Sequence, residues 1–224
     1  MTHLRTRFAP VTLALLLLVG FTQTGCNNTG RGAGIGAGAG AIIGGVIGRA
    51  TGSTARGAII GAAVGGTAGA VIGRQMDKQA DELDRDLENA DVTPIPGANG
   101  ETAGIAVQFD NALLFDVGSS TLRPGVRQDL SDLASSLQSY PGHDAVIVGH
   151  ASTDGSTATN QSLSERRAEA VRAYLVGQGV SSGRTQSYGR GESEPLAGLA
   201  GTDPGNRRVE IAIYASEQYR DSLQ

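Results

Sequence analysis

The chain of 224 residues has no Trp, 4% aromatic residues and a single Lys. It also contains 34 Gly, so one well-packed core cannot extend over the whole sequence. The formal net charge is -4, which gives nucleic-acid binding no electrostatic support. A single Cys excludes an internal disulfide. These shortages favour a folded domain that occupies only part of the chain.

A catalytic set is also missing. His150, Ser152 and Asp154 crowd one loop, whereas a hydrolase triad needs three supports that converge. No Gly-x-Ser-x-Gly elbow is present, and one Cys with a few scattered His predicts no metal site. We expect His143 to be solvated in a turn and His150 to form a structural hydrogen bond. The sequence therefore predicts a protein that is not an enzyme and needs no cofactor.

The first 25 residues are typical of a secretory signal peptide. A basic start is followed by an apolar run at residues 11–19, which is too short to span a membrane as a helix. The sequence Gln23-Thr24-Gly25-Cys26 resembles a bacterial lipobox, although Gln23 replaces the usual Leu. This resemblance implies acylation of Cys26, for example with palmitate, and a tether over residues 26–31. Asn27 in place of Asp favours the outer membrane. The alternative is an ordinary signal peptide followed by an unmodified thiol.

Residues 32–74 are rich in Gly at a regular spacing. Gly recurs every four residues in two series, which are Gly32, Gly36, Gly40, Gly44, Gly48, Gly52 and Gly57, Gly61, Gly65, Gly69, Gly73. This spacing places Gly along one helix ridge, where a second helix can approach closely. Such helices are poor in water but favoured in lipid. The break at residues 49–56 predicts a membrane-associated helical hairpin, similar to the glycine zippers of outer-membrane lipoproteins. A flexible or self-packing periplasmic segment is the alternative.

Two short segments separate this region from the folded domain. Residues 75–90 are charged and helical, and their narrow apolar seam favours a solvated spacer helix over a coiled-coil partner. Residues 91–104 contain Pro and Gly and predict a linker at the domain boundary. The domain itself is expected at residues 105–215, followed by a tail at residues 216–224.

The domain alternates strand and helix patterns. Ile105, Val107 and Phe109 alternate as one face of a strand, and residues 145–148 form a short β-branched run. Further strands are predicted at residues 185–188 and 208–214, and helical stripes begin near Val126 and Asn160. The order β-α-β-α-β-β predicts an α/β (α+β) fold with a mixed sheet and helices packed on it.

The second helix carries an unusual charge. Leu163, Arg167, Val171 and Tyr174 share one helix face, so Arg167 lies within the apolar stripe. A buried charge is unfavourable unless it is paired. Arg167 therefore forms either an internal ion pair with a nearby Asp or an anion-binding site. Asn160 is predicted to cap this helix.

At these positions the sequence resembles the OmpA-like peptidoglycan-binding domain. The matching residues are Gly149-His150, Asn160, Leu163-Ser164, Arg167-Ala168, Gly179-Val180 and Asn206-Arg207-Arg208-Val209-Glu210. The resemblance covers residues 105–215 and implies non-covalent binding of the diaminopimelate residue of peptidoglycan stem peptides. In this family a loop Asp and a helix Arg hold the zwitterionic end of that residue.

Carried onto this chain, the resemblance implies a ligand site with one departure. Arg167 takes the place of the helix Arg, while Ser152 occupies the position of the loop Asp. Asp154 is the nearest acid that can substitute for it, and Asn160 and Asp116 are expected to support the site. Because Ser152 has no charge, we expect weakened binding.

Two functions follow. The first is an outer-membrane lipoprotein that faces the periplasm and tethers the membrane to peptidoglycan, with acylated Cys26 in the lipid. The alternative is a membrane-associated glycine-zipper protein that oligomerises and whose OmpA-like domain binds peptidoglycan weakly or not at all. Self-association through the zipper is a partner hypothesis common to both.

Overall fold

The computed structural model describes residues 53–62, 66–97 and 100–223. The predicted signal peptide, the lipidation of Cys26, the tether and the first arm of the predicted hairpin lie outside the described residues. Within the described ranges, no helix is both long enough and apolar enough to cross a membrane.

A five-stranded mixed sheet lies at the centre of the described fold. Its strands are β1 (Asp91–Pro96), β2 (Thr102–Asp110), β3 (His143–Gly149), β4 (Thr185–Gly189) and β5 (Arg208–Ala215). Their spatial order is β1-β2-β5-β3-β4, with β3 and β4 parallel and all other neighbours antiparallel. The predicted mixed sheet is confirmed.

Six α-helices accompany the sheet in the described residues. They are α1 (Thr54–Ala62), α2 (Gly66–Asp86), α3 (Asn111–Leu114), α4 (Arg127–Ser139), α5 (Thr157–Gly177) and α6 (Glu217–Ser222). From β2 onward the order follows the predicted β-α-β-α-β-β, with the short helix α3 added before α4. Helix α5 makes the crossover that the parallel pair β3 and β4 requires.

The main core lies between one face of the sheet and helices α2, α4 and α5. Alternate residues of the central strands point into it because side chains of a strand alternate between the two faces. The buried side chains of this core include Ile105, Val107, Phe109, Ile147, Val209, Ile211, Leu130, Leu133, Val171 and Leu175.

Helix α2 is part of this core, which corrects the prediction of a solvated spacer at residues 75–90. Met76, Ala80, Leu83 and Leu87 are at most 5% exposed and belong to the main cluster. The apolar seam was visible in the sequence, but its partner is the sheet of the same domain. Its charged residues lie on the opposite, exposed side of the helix.

His143 is buried at the start of β3, so the expectation of a solvated turn residue is wrong. Its Nδ1 lies 2.6 Å from Oε1 of Gln79 on helix α2. The ring stacks on Tyr140 at a centroid distance of 5.4 Å and tilts against Tyr219 on α6. Burial lowers the pKa of His143 to about 4, so the ring is neutral at pH 7.

The prediction of a linker at residues 91–104 is also wrong, because the first half of this segment forms the edge strand β1. Asp91 pairs with Gln108 and Ile95 with Gly104 in an antiparallel ladder. Pro94 and Pro96 are compatible with an edge strand, where one side of the backbone needs no partner. Gly100 supplies a positive φ of 87° in the connection to β2.

The predicted C-terminal tail contains helix α6, which packs on the domain. Ser216 caps this helix by accepting a hydrogen bond from the Tyr219 amide. The Tyr219 ring lies directly against Gly142, where a Cβ would be 2.6 Å from the ring carbon Cγ. Residues 217–222 therefore belong to the folded unit.

Helix α1 covers the second face of the sheet. Residues 57–62 of α1 fall in the second arm of the predicted membrane hairpin, and Thr54, Ala55 and Arg56 fall in the predicted break between the arms. Ala55, Ala58 and Ile59 instead pack in a second buried cluster with residues of β1, β2, β3 and β5. For these residues the structure replaces the membrane-embedded arm with a helix docked on the domain.

Candidate functional site

The site begins at the end of β3, where the chain turns away from the sheet. A Cβ at Gly149 would overlap the carbonyl oxygen of Ser164 on α5, so only Gly allows this close approach. The following loop is buried at its base, and Ser152 is 3% exposed. Gly155 has a positive φ of 95° and leads the loop into α5.

Helix α5 begins at Thr157, and Ser156 caps it by accepting a hydrogen bond from the Thr159 amide. The prediction that Asn160 caps the helix is therefore wrong. Asn160 lies one turn inside, where its Nδ2 donates to the Ser152 carbonyl at 3.0 Å and to Oε2 of Glu192 at 2.6 Å. It holds the loop and the helix together.

Arg167 is 5% exposed and lies two turns further along α5. Its Nε donates to the Ser119 carbonyl at 2.9 Å, and its Nη2 lies 3.5 Å from the Asp116 carbonyl. The guanidinium carbon is 5.2 Å from the centre of the Phe115 ring. Among the described residues Arg167 forms no ion pair with a carboxylate. Backbone carbonyls and a ring face orient its charge without neutralising it.

Asp116 supports this arrangement through its backbone and not through its side chain. Its carboxylate is 77% exposed and lies 3.6 Å from Nε of Arg123. The loop at residues 116–119 is turned by Gly118, which has a positive φ of 72°. The turn directs two carbonyl groups toward Arg167.

Ser152 and Asp154 are joined by a residue that the sequence reasoning did not include in the site. Nη1 of Arg207 lies 3.2 Å from Ser152 Oγ and 3.2 Å from Asp154 Oδ2. The Ser152 hydroxyl itself donates to Asp154 Oδ2 at 3.0 Å. The Ser152 hydroxyl and the Asp154 carboxylate are therefore both already in contact with the Arg207 guanidinium.

Arg207 is paired with Asp154, so Arg167 is the guanidinium of the site whose charge no carboxylate in the described residues balances. The pKa of Arg167 is lowered, first by burial, then by the charges of Arg207 and Arg166. Burial and like charges disfavour the charged form of Arg167, and a bound anion would stabilise that form. The arrangement can bind a carboxylate bidentately through Arg167.

Glu192 is the second residue that sequence reasoning missed. It accepts hydrogen bonds from Asn160 and from Thr157 Oγ1, at 2.8 Å for the latter, and these bonds lower its pKa. It follows Gly191, whose carbonyl accepts a hydrogen bond from the Ala151 amide at 2.7 Å. In the sequence, Arg207 appears only as part of the family motif at residues 206–210. No local sequence pattern connects Arg207 or Glu192 to the loop after β3.

A buried ionic network lies beside the site. Nε of Arg208 donates to Oε1 of Glu210 at 2.6 Å, and both side chains are almost fully buried. His150 Nε2 is 3.7 Å from the same oxygen, but burial, followed by the charge of Arg208, lowers the pKa of His150 to about 3. The ring is neutral, and within the described ranges neither ring nitrogen has a hydrogen-bond partner. The prediction of a structural hydrogen bond for the His150 side chain is therefore wrong; its backbone N–H donates to the Arg208 carbonyl and its carbonyl accepts from Asn111.

No group of three or more His, Cys, Asp or Glu side chains in the described parts of the chain is arranged to hold a metal ion. Together, the mixed sheet and the arginines that follow β3 define an α/β domain with a candidate site for an anionic group.

Comparison with known proteins places this domain in a family. Residues 114–208 match the OmpA family, and residues 5–77 match the YMGG-like Gly-zipper family. Outer membrane protein A of Bordetella avium is 35% identical over 147 residues, which cover 60% of this chain and 76% of that protein. The chain belongs to the OmpA family.

Other relatives share the domain alone. The peptidoglycan-associated lipoprotein of Brucella melitensis is 35% identical over 98 residues, which cover 44% of this chain and 58% of that protein. The chain spans about a third of the length of the Pseudomonas outer membrane porin F proteins that it matches. Among solved structures, a MotB-like protein of Desulfovibrio vulgaris has the same fold, with a TM-score of 0.55, 20% identity and coverage of 66% of this chain and 93% of that chain.

Proposed function

We propose that this protein binds peptidoglycan without covalent chemistry and anchors the cell wall to the outer membrane. The observation that carries the proposal is Arg167, a buried guanidinium that has carbonyl and aromatic neighbours but no carboxylate partner in the described residues. Its ligand is the carboxylate of diaminopimelate in a stem peptide.

The ammonium end of diaminopimelate has weaker support in this chain. Ser152 has no charge, and the Asp154 carboxylate is paired with Arg207 at 3.2 Å. Both groups of this pair are substantially exposed, so the pair is screened by water and can open. We expect Asp154 to receive the ammonium only at the expense of its contact with Arg207, which makes the affinity modest.

The names of the relatives support an envelope location. They include outer-membrane proteins and a lipoprotein described as peptidoglycan-associated. We propose that acylated Cys26 holds this chain in the outer membrane with the domain facing the periplasm, and that the protein is not an enzyme.

The test is a titration of the full chain in detergent with a disaccharide tripeptide that ends in diaminopimelate. Arg167→Ala should abolish binding, since a lost charge-assisted contact in a buried site costs about 2–5 kcal/mol. Arg167→Lys should also bind poorly, because Lys cannot form the two-pronged contact. Arg166→Ala is the matched control for loss of charge alone, because Arg166 is the adjacent, exposed residue of the same helix and acts on Arg167 only through its charge.

Ser152→Asp is a second variant for the same titration. We expect it to raise the affinity, because an acid in this position can pair with the ligand ammonium. Unchanged binding in Arg167→Ala, with the fold intact by circular dichroism, would show that the site is elsewhere.

The alternative function, an oligomerising zipper protein, is favoured by Ser152 and by the zipper match over residues 5–77. In that case the wild type binds no muropeptide, and the chain self-associates in membranes. Cross-linking in vesicles distinguishes the two.

A further inference from the structure

Helix α1 binds the second face of the sheet through small apolar side chains. Ala55, Ala58 and Ile59 pack against a cluster that includes Val146, Val148, Ala212 and Tyr214. Gly104 on β2 provides the space for Ile59, since a Cβ at Gly104 would lie 2.7 Å from Ile59 Cγ2. The sheet surface is thus shaped to receive this helix.

Hydroxyl groups fix the start of α1 to two carboxylates. Ser53 Oγ donates to Glu210 Oε2 at 2.5 Å. The Thr54 amide and hydroxyl both donate to Glu194, at 2.9 and 2.5 Å. Arg190 Nε donates to the Thr54 hydroxyl at 2.8 Å and lies 3.4 Å from the Glu194 carboxylate. A negative charge at a helix N-terminus also stabilises the helix, because it interacts favourably with the helix dipole.

The helical state of α1 depends on this docking. The helix has nine residues and includes Gly57 and Gly61. Isolated helices of this length are marginal in water, and Gly lowers their stability further. If this segment left the sheet, it would therefore lose most of its helical structure.

The loop that holds α1 also builds the ligand site. Arg190 and Glu194 contact α1, while Glu192 between them accepts hydrogen bonds from Asn160 and Thr157 at the start of α5. The Gly191 carbonyl holds the Ala151 amide at the base of the ligand loop. One five-residue segment thus contacts α1 on one side and the site on the other.

We propose that docking of α1 on the sheet and occupancy of the Arg167 site are positively coupled. The docked helix holds residues 190–194 in the conformation in which Glu192 and Gly191 support the ligand loop. Because coupling is reciprocal, a bound ligand strengthens the docking of α1 by the same factor. The inference rests on the proposed function of the Arg167 site. It assigns to residues 53–62 of the glycine-rich segment a role as an intramolecular partner of the binding domain.

The experiment uses the full chain in detergent and the same muropeptide. Ile59→Asp places a charge against the apolar sheet face and should release α1. Thr54→Val removes only the hydroxyl contacts with Glu194 and Arg190, and it keeps the test valid if Ile59→Asp disturbs the fold. Arg56→Ala is the control, since Arg56 lies on the exposed side of α1.

Hydrogen exchange and binding are measured together. In the wild type we expect muropeptide to slow exchange at residues 53–62. Release of α1 should weaken muropeptide binding by about fivefold or more, the lower end of ordinary coupling between sites. It should also speed exchange of the Ala151 amide in the absence of ligand, and Arg56→Ala should change neither.

The outcomes separate the two hypotheses. If α1 is released but the affinity and the Ala151 exchange stay at wild-type values, the coupling is refuted while the proposed function stands. If the wild type binds no muropeptide, the proposed function fails, and unchanged Ala151 exchange would then refute the control of the loop by α1 as well.

Discussion

Truncation of Leu83 tests whether helix α2 is a structural part of the domain. Leu83 is 1% exposed and packs in the main core with Met76 and Leu87. A buried Leu→Ala change removes the transfer free energy of the side chain and leaves a cavity, which together cost about 2–5 kcal/mol. We expect Leu83→Ala to lower the free energy of unfolding by about 3 kcal/mol. In a folded unit of this size, each kcal/mol lowers the Tm by about 2–4 °C.

The assay is urea unfolding of the full chain in detergent, followed by circular dichroism, with Asp84→Ala as the control. Asp84 is the next residue and is exposed, so its removal should change the free energy of unfolding by less than about 0.5 kcal/mol. A solvated spacer helix would give the same small effect for both variants. Equal stability of Leu83→Ala and Asp84→Ala, or a separate early transition for α2, would refute the packing of this helix in the core.

Two further predictions concern acid stability and lipidation. His143 and His150 have folded-state pKa values of about 4 and about 3, below the unfolded value of 6.5, so the unfolded state binds more protons and stability falls as the pH drops below 6.5. By pH 5 each histidine lowers the free energy of unfolding by about 2 kcal/mol. Asp144 has the opposite effect and offsets part of this loss, because burial raises its pKa to about 6 and the folded state therefore takes up its proton first. Urea titrations at pH 7 and pH 5 should show this loss and a clearly smaller one in His150→Leu, whereas an equal pH dependence in both proteins would contradict the assignment to His150. Labelling with palmitate should be lost in Cys26→Ser, and labelling that persists in the variant would exclude acylation at this thiol.

Local patterns in the sequence predicted the central elements because those elements carry their own signals. The alternation in β2 and β5 and the stripe of α5 indicate a buried face without knowledge of the partner. Arg167 stood out for the same reason, as a charge within an apolar stripe. The structure buries it as that stripe required.

The errors arose where the partner of a segment decides its structure. The seam of α2 is too narrow to distinguish a solvated helix from a packed one, and only the sheet beneath it decides. β1 contains two prolines and reads as a linker until its pairing with β2 is known. In the site, Arg207 and Glu192 lie 55 and 32 residues from the atoms they contact, so no spacing rule connects them.

The docking of α1 limits how the glycine-rich segment can be used. Residues 53–62 cannot contact the sheet and lie in a bilayer at the same time, so a membrane hairpin that includes both zipper arms requires α1 to leave the domain. With α1 docked, a lipidated Cys26 would be joined to it by at most residues 26–52, whose greatest reach is on the order of 90 Å fully extended and about 40 Å as a helix. Release of α1 would lengthen this connection and, through residues 190–194, loosen the ligand site. In the proposed function, the reach of the anchor and the affinity for the cell wall would then be opposed, because the same ten residues serve one or the other.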